Sequence, residues 1–338
     1  MARIFYYCYD HQVPRGGQKE TYRHVQVLTE HGLEAYALHN AEGTRLTWFP
    51  NAVPVVSARR FTAIFDPASD VIVLPEDLGW RINEYPGRKV IFNKGVSGGF
   101  CAFGTSRSGR YPYVRQDVLC AFVMSEHNRR QLQLAFPQLA VYRMFSEVDP
   151  ATFRFKPLQQ KRPLIAVVQK SSPATMVVYH TLRARAMQRL NRGDDFEWQF
   201  LGRLDERTLA STLADALVII FSTAAEGGPP RTLLEAMASG CLIAPLCIEP
   251  MRESIPEYAW FDAEDVQGVV SFVEEIMGRF PHQLERYEHH VEAGRRIAAM
   301  FSIERQAAAV LDAWTAILAQ LPSPQPKCPV AHDAVRQR

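Results

Sequence analysis

The chain has 338 residues, of which 47% are hydrophobic and 22% are charged, and its formal net charge is +2. This length accommodates two domains with separate cores, and the composition is that of an ordinary globular protein. The near-neutral charge, without a dense lysine or arginine run, argues against nucleic acid as a partner, and no apolar stretch approaches the roughly 20 residues of a membrane span.

Short apolar runs alternate with amphipathic segments along the first half of the chain. Strands are predicted at residues 3–9, 34–39, 71–74, 89–92 and 121–125, and helices near 20–31 and 126–136. This alternation predicts an α/β fold in which helices cover a parallel sheet.

A second series of the same kind begins after residue 162. Apolar runs at 163–169, 197–201, 216–222 and 241–245 alternate with amphipathic segments at 178–191, 206–213, 231–239 and 266–277. The proline-bearing stretch 148–157 between the two series suits a linker. The sequence therefore predicts two Rossmann-like domains, 1–157 and 158–300, then a long helix at 301–321 and a disordered tail at 322–338.

The six cysteines include no Cys-x-x-Cys pair and lie mostly in apolar segments. We expect small buried side chains in a reducing cytoplasm. The ten histidines form no set with metal-ligand spacing, so no metal site is predicted. The N-terminus lacks the pattern of a signal peptide.

Residues that end the predicted strands are candidates for a binding site, because ligands of open α/β sheets lie beyond the carboxyl ends of the strands. These residues are Gly16, Gly17, Gln18, Glu76, Asp77, Asn93, Lys94, Lys170 and Glu226. Lys170 is equally consistent with a solvated strand end, and a turn role is favoured for Glu76 and Asp77. The glycine cluster at 95–99 is a weak phosphate-binding signal and is more typical of a loop.

The most specific pattern lies at residues 226–240. An apolar run precedes Glu226-Gly-Gly-Pro-Pro, and the segment up to Gly240 has the spacing of a short helix with a buried stripe. A strand, a bend and a helix N-terminus in this order present free N–H groups that attract phosphate. Glu235, one turn into the helix, can accept from sugar hydroxyls or can merely offset the helix dipole. Glu226 on the bend can likewise be a solvated loop residue.

The phrase from Glu226 to Ala244, with Leu-Leu-Glu-Ala-Met-Ala-Ser-Gly at its centre, resembles the carboxylate pair and Glu-Ala-Met-Ala-x-Gly signature of GT-B glycosyltransferases of retaining family 4. Gly16 and Gly17 resemble the opening glycine loop of that family. The final helix resembles the segment that returns to brace the first domain. The resemblance covers residues 1–321.

This resemblance implies a nucleoside diphosphate sugar held mainly by the second domain and a saccharide or lipid-linked acceptor held mainly by the first. It implies that Glu226 contacts the donor sugar, Glu235 the ribose and Lys170 the diphosphate. Further donor-site candidates are Gly16, Gly17, Gly227, Gly228, Arg231 and Thr232, and the acceptor-side candidates are Glu76, Asp77, Asn93 and Lys94. Asp-x-Asp does not occur, which is consistent with transfer that needs no metal or other cofactor. Peripheral membrane contact is left open.

Two departures from the family pattern keep alternatives open. Eight residues separate Glu226 from Glu235 where the family has seven, and no second basic residue accompanies Lys170 in the sequence. A binding module that kept the architecture but lost turnover is therefore an alternative. A Rossmann-type dehydrogenase or epimerase is a weaker one, because no Gly-x-Gly-x-x-Gly follows the first strand.

Overall fold

The computed structural model describes residues 2–105, 110–169, 172–190, 195–202, 204–223 and 226–321. Within these ranges the chain forms two parallel sheets, each covered by helices. The α/β prediction of two such domains is confirmed. No helix in the described part is both long and apolar enough to cross a membrane.

The first sheet has seven strands in the order β3-β2-β1-β4-β5-β6-β7, and all neighbours are parallel. The strands are β1 Ile4–Tyr7, β2 Ala35–His39, β3 Val55–Ser57, β4 Val71–Pro75, β5 Arg88–Asn93, β6 Val118–Val123 and β7 Val141–Arg143. The helices of this domain are α1 Gly16–Glu30, α2 Ala58–Ile64, α3 Val96–Phe103 and α4 Glu126–Ala135. Alternate side chains of the buried strands enter two cores, one on each face of the sheet.

The second sheet has five parallel strands in the order β12-β11-β10-β8-β9. The strands are β8 Leu164–Gln169, β9 Glu197–Phe200, β10 Val218–Ser222, β11 Leu242–Cys247 and β12 Phe261–Asp262. The helices are α5 Ala174–Arg185, α6 Glu206–Asp215, α7 Arg231–Ala238, α8 Val266–Arg279 and α9 Glu288–Ala299. The central strands β8, β10 and β11 are near-continuous apolar runs, because helices cover both faces.

The last helix, α10 (Ile303–Leu318), returns to the first domain and packs beside α1. Trp314 is fully buried there, and its indole N–H donates to the Tyr6 hydroxyl at 2.8 Å. Where the chain crosses back, the Val148 N–H donates to the Phe301 carbonyl at 2.8 Å, so the two crossings between the domains lie side by side. The predicted returning helix is confirmed.

The exact domain boundaries at 157 and 300 stay predictions, although the strands of the first sheet end at Arg143 and those of the second begin at Leu164. The expectation of a loop at residues 95–99 is wrong, because helix α3 begins at Val96 and buries Val96 and Phe103. The predicted tail 322–338 lies outside the described residues.

Candidate functional site

A cavity of about 600 Å³ lies between the two domains, at the carboxyl ends of both sets of strands. We call it the cleft. The described residues that line it are Pro14, Arg15, Gly16, Gly17, Lys19, Glu20, Trp48, Lys94, Met124, Ser146, Phe153, Val168, Leu201, Gly202, Leu204, Glu206, Leu209, Glu226, Gly228, Pro229, Arg231, Thr232 and Glu235.

Both predicted carboxylates of the second domain face the cleft. Glu226 lies on the loop after β10, and Glu235 lies one turn inside α7. Glu235 is only 3% exposed, and this burial raises the pKa of its carboxyl above the ordinary value. Gly240 ends the helix with a φ of 83°, as the sequence predicts, and the Cys241 N–H donates to the Ala236 carbonyl at 3.0 Å.

The glycines between those carboxylates lie against the first domain. The carbonyl of Gly227 accepts from Ser125 Oγ at 2.7 Å and from Asn128 Nδ2 at 2.6 Å. A Cβ on Gly227 would lie 1.6 Å from the Lys94 carbonyl oxygen, and one on Gly228 would lie 2.6 Å from that of Met124. Glycine is therefore required here for close approach of the two domains. The donor-binding role of the two glycines stays a prediction.

Arg231, the first residue of α7, is surrounded by carboxylates. Its guanidinium pairs with Glu20, with Glu147 at 2.5 Å and with Glu235 at 3.3 Å, and its side chain is only 9% exposed. Burial by itself lowers the arginine pKa, but the three carboxylates outweigh it and the pKa is raised. The charge of Arg231 is therefore compensated by the protein.

Further charged and polar contacts connect the residues around Arg231 to helices α1, α6 and α10. Glu147 also pairs with Arg23 at 2.9 Å, Lys19 pairs with Glu206 across the cleft, and Gln306 of α10 donates to Glu20 at 2.7 Å. Burial raises the pKa of Glu147, yet the neighbouring cations outweigh burial and lower the pKa below its ordinary value. We call these residues, with Arg231 and Glu235, the interdomain charge network. It joins the two domains and the returning helix.

Gly16 and Gly17 form the first residues of α1 and line the cleft opposite α7. A Cβ on Gly17 would lie 2.9 Å from Lys94 Cδ, and one on Gly16 would lie 3.8 Å from Arg231 Cβ. The N-termini of α1 and α7 thus open into one cavity, which is an arrangement suited to an anion. Thr232 of α7 lines the same cavity.

The structure separates the four acceptor-side candidates. Lys94 alone among them lines the cleft, and its ammonium donates to Thr21 Oγ1 at 3.3 Å. Glu76 is buried and accepts from the Gly95 N–H at 2.7 Å, and burial raises the pKa of its carboxyl to about 7. Asn93 accepts from the Tyr113 hydroxyl at 2.9 Å, and Asp77 accepts from that of Tyr9 at 2.8 Å. These bonds give Glu76 and Asn93 structural partners away from the cavity.

Lys170 lies outside the described residues. Within the described ranges, no group of three histidine, cysteine or acidic side chains is arranged to hold a metal ion. Sequence reasoning missed Lys19, Glu20, Glu147 and Glu206 as residues of the site. A signal is present for the first two, since Lys19 and Glu20 follow the glycine pair after one glutamine and lie near the start of α1, which begins at Gly16 and not near residue 20.

Solved structures of other proteins share this architecture, although their sequences differ widely from this one. No family model matches the chain, and no curated protein sequence matches it significantly. Among solved structures, a sucrose-phosphate synthase from Thermosynechococcus elongatus aligns at 12% identity with a TM-score of 0.64, over 94% of this chain and 100% of that one. The fold is GT-B.

Two further structures agree. Anabaena HepE, in complex with UDP and glucose, aligns at 11% identity with a TM-score of 0.62, over 94% of this chain and 100% of that one. An alpha-glucosyltransferase, in complex with UDP and a 13-mer DNA containing an HMU base, aligns at 12% identity with a TM-score of 0.57, over 94% and 99%. At such identities the likeness establishes the GT-B fold and nothing finer.

Proposed function

We propose that this protein is a retaining glycosyltransferase similar to family 4, which moves a sugar from a nucleoside diphosphate sugar to a saccharide or lipid-linked acceptor. One observation carries the proposal: Glu226, Glu235 and the N-termini of α1 and α7 converge on a single cleft. Its volume of about 600 Å³ is typical of small-molecule sites. Solved structures of the same fold that carry UDP support the choice of ligand.

Each lining group has a role in this proposal. Glu235 accepts from the ribose hydroxyls, and Glu226 contacts the donor sugar. The diphosphate lies between Gly16 and Gly17 on one side and the start of α7, with Thr232, on the other, and Lys170 completes that set by resemblance. Lys94 faces the acceptor.

The chemistry follows from the charge that develops during transfer. As the bond between the anomeric carbon and the diphosphate breaks, the sugar ring becomes positive and the diphosphate gains negative charge. Fixed N–H groups aimed at the diphosphate stabilise that charge without reorganisation, in a reaction that we propose proceeds without a metal. In a front-face reaction, the departing phosphate oxygen takes the proton of the acceptor hydroxyl while that hydroxyl bonds to the same face of the sugar. Of the five cysteines in the described residues, four are buried as expected and Cys101 is exposed, and all five are free, which fits a cytoplasmic site of action.

The direct test is donor turnover with a panel of nucleotide sugars, for the wild type, Glu226→Ala and Glu226→Gln. We expect at least about a hundredfold loss of turnover in both variants if Glu226 acts on the donor sugar. Glu249→Ala is the matched control, because Glu249 is an exposed carboxylate of the same domain. Turnover that is unchanged in both Glu226 variants would remove the proposed site.

A second candidate is a GT-B module that binds a nucleotide or sugar without turnover. It is favoured by the charge balance of the cleft, where Arg231 and Lys19 are both paired with carboxylates. The described lining residues include four basic and four acidic side chains, so they offer a diphosphate no net positive charge. Calorimetry with UDP, GDP and ADP separates the candidates, because binding without transfer or donor hydrolysis favours the module.

A further inference from the structure

Two side chains of the first domain hold the loop that carries Glu226. The Gly227 carbonyl, one residue after Glu226, accepts from Ser125 Oγ at 2.7 Å and from Asn128 Nδ2 at 2.6 Å. We call Ser125 and Asn128 the clasp. A carbonyl oxygen has two lone pairs, so the two donors of the clasp satisfy it fully. Ser125 is 0% and Asn128 2% exposed, so the first domain sets the direction of this peptide unit without competition from water.

Backbone turns of the first domain lie against the same loop. A Cβ on Gly227 would lie 2.6 Å from the Cα atom of Gly95, in the turn after β5. A Cβ on Gly228 would lie 2.6 Å from the carbonyl oxygen of Met124, which follows β6. Both glycines of the loop are buried. The turns therefore block a shift of the loop toward the first domain, and the hydrogen bonds of the clasp oppose a shift away from it.

The start of α4 fixes the clasp itself. Ser125 is the N-cap of that helix, and its Oγ accepts from the Asn128 N–H at 3.1 Å while it donates to Gly227. Glu253 of the second domain accepts from the Glu126 N–H at 2.7 Å. Both clasp side chains therefore project from one capped helical turn, which contacts the second domain at two points.

The diphosphate end of the proposed site has a separate anchor. Arg231 begins α7 and pairs with Glu20 and Glu147 on the other side of the cleft. These ion pairs do not involve the clasp. Loss of the clasp should therefore displace Glu226 while the start of α7 stays in place.

We propose that Ser125 and Asn128 are positioning residues, through which the first domain places the Glu226 carboxylate against the donor sugar. This assignment rests on the proposed function, in which Glu226 contacts that sugar. A misplacement of about 1 Å in a group that acts on the reacting centre can lower the rate about a hundredfold. The sugar site of the second domain is then complete only while the two domains are in contact at the clasp.

Donor turnover and nucleotide affinity separate this role from a merely structural one. Asn128→Asp keeps the size of the side chain but replaces the Nδ2 donor by an oxygen that repels the Gly227 carbonyl. A carboxylate in the first turn of α4 suits the helix dipole, so this variant should fold. The donor is the uridine, guanosine or adenosine diphosphate sugar that the wild type turns over fastest.

We expect kcat to fall at least about tenfold in Asn128→Asp and in Asn128→Ala, and about a hundredfold in Ser125→Ala/Asn128→Ala. The Kd of the matching nucleotide, UDP, GDP or ADP, should change by less than about threefold in calorimetry, because the anchor of α7 is intact. Melting temperatures show that each variant folds.

A double-mutant cycle shows whether Asn128 acts through Glu226. Asn128→Ala should lower kcat by less than about twofold in a Glu226→Ala background, since the carboxylate that it positions is already absent. An equal loss of kcat in both backgrounds would mean that Asn128 acts elsewhere, and it would overturn the proposal.

Ser57→Ala is the matched control for loss of a helix cap. Ser57 is the N-cap of α2 in the same domain and accepts from the Arg60 N–H at 3.3 Å, beside the edge strand β3. This variant should leave kcat unchanged. Wild-type kcat in Asn128→Asp and in Ser125→Ala/Asn128→Ala, or a loss of nucleotide affinity as large as the loss of kcat, would overturn the positioning role and leave the proposed function standing. A wild type that turns over no nucleotide sugar of the panel would instead remove both.

Discussion

Replacing Arg231 with methionine tests the interdomain charge network most directly. The guanidinium lies among Glu20, Glu147 and Glu235, and the side chain is 9% exposed. Methionine keeps much of the apolar length, so the change is chiefly the loss of the charge. Removing one partner of a buried ion pair typically costs about 3–5 kcal/mol, because the remaining charges stay buried without compensation. We expect the free energy of unfolding to fall by about that amount at neutral pH.

The loss of unfolding free energy in Arg231→Met should depend on pH, because the carboxylates around Arg231 become protonated as the pH falls. In the wild type the pKa of Glu147 is lowered, so its stabilising contribution is present above the unfolded-chain value of about 4.3 and is lost as the pH falls through the folded-state value. Without Arg231, Glu147 keeps Arg23 as its ion-pair partner and Glu235 loses its own, so both carboxyls hold protons more tightly than they do in the wild type. The destabilisation of the variant relative to the wild type should therefore shrink as the pH falls from about 7 toward about 4.

Urea denaturation followed by tryptophan fluorescence measures this effect at several pH values. The matched control is Arg162→Met, since Arg162 is 55% exposed and pairs with Glu197 at 2.5 Å on the surface, where such pairs contribute about 0–1 kcal/mol. The double variant Arg231→Met/Glu20→Gln should recover part of the loss, because it removes one uncompensated carboxylate. The reasoning would be refuted if Arg231→Met and Arg162→Met lowered the free energy of unfolding by the same small amount at every pH.

Three further predictions concern single residues. Gly227→Ala places a Cβ 1.6 Å from the Lys94 carbonyl oxygen, so the two domains should move apart and the radius of gyration of the protein from X-ray scattering should rise. Gly98→Ala is the control and should leave the radius unchanged, because the space around Gly98 is open. An unchanged radius for both variants would contradict the required close approach. Burial raises the pKa of Glu76 to about 7, so its ionisation destabilises the fold as the pH rises from about 4.5 through 7. In Glu76→Gln the melting temperature should no longer fall over this pH range. A fall equal to that of the wild type would contradict the raised pKa of Glu76. Glu235→Gln should melt no lower than the wild type, because a buried charge is lost, yet bind UDP at least about tenfold more weakly in calorimetry; undiminished binding would rule out the ribose role.

The longer elements could be predicted from the sequence because their periodicity is local. The strand expected at 163–169 is Leu164–Gln169, and the helix expected near 126–136 is Glu126–Ala135. Strands β3 and β7 cannot be predicted in this way, since three residues carry no readable period. The two glycines of α3 favour a loop, because the burial of Val96 and Phe103 that stabilises this helix is a tertiary effect.

Some residues of the candidate site could also be predicted from local sequence patterns, and others could not. The positions of Glu226 and Glu235 follow from a strand, a bend and a helix start that are contiguous in sequence. The partners of Arg231 do not, because Glu20 is 211 residues away and Glu147 is 84 residues away. No local pattern connects such residues, and a single sequence gives no record of which of them change together.

The returning helix has a consequence for the order of assembly during synthesis. Since α10 supplies Val310, Ala313, Trp314 and Ile317 to the core beside α1, part of that face of the first sheet stays uncovered until α10 has left the ribosome. The second domain, which lies wholly between the two crossings, can complete its own core earlier. The domain translated first is therefore the one finished last, and the hydrogen bond between Val148 and Phe301 forms only when both are in place.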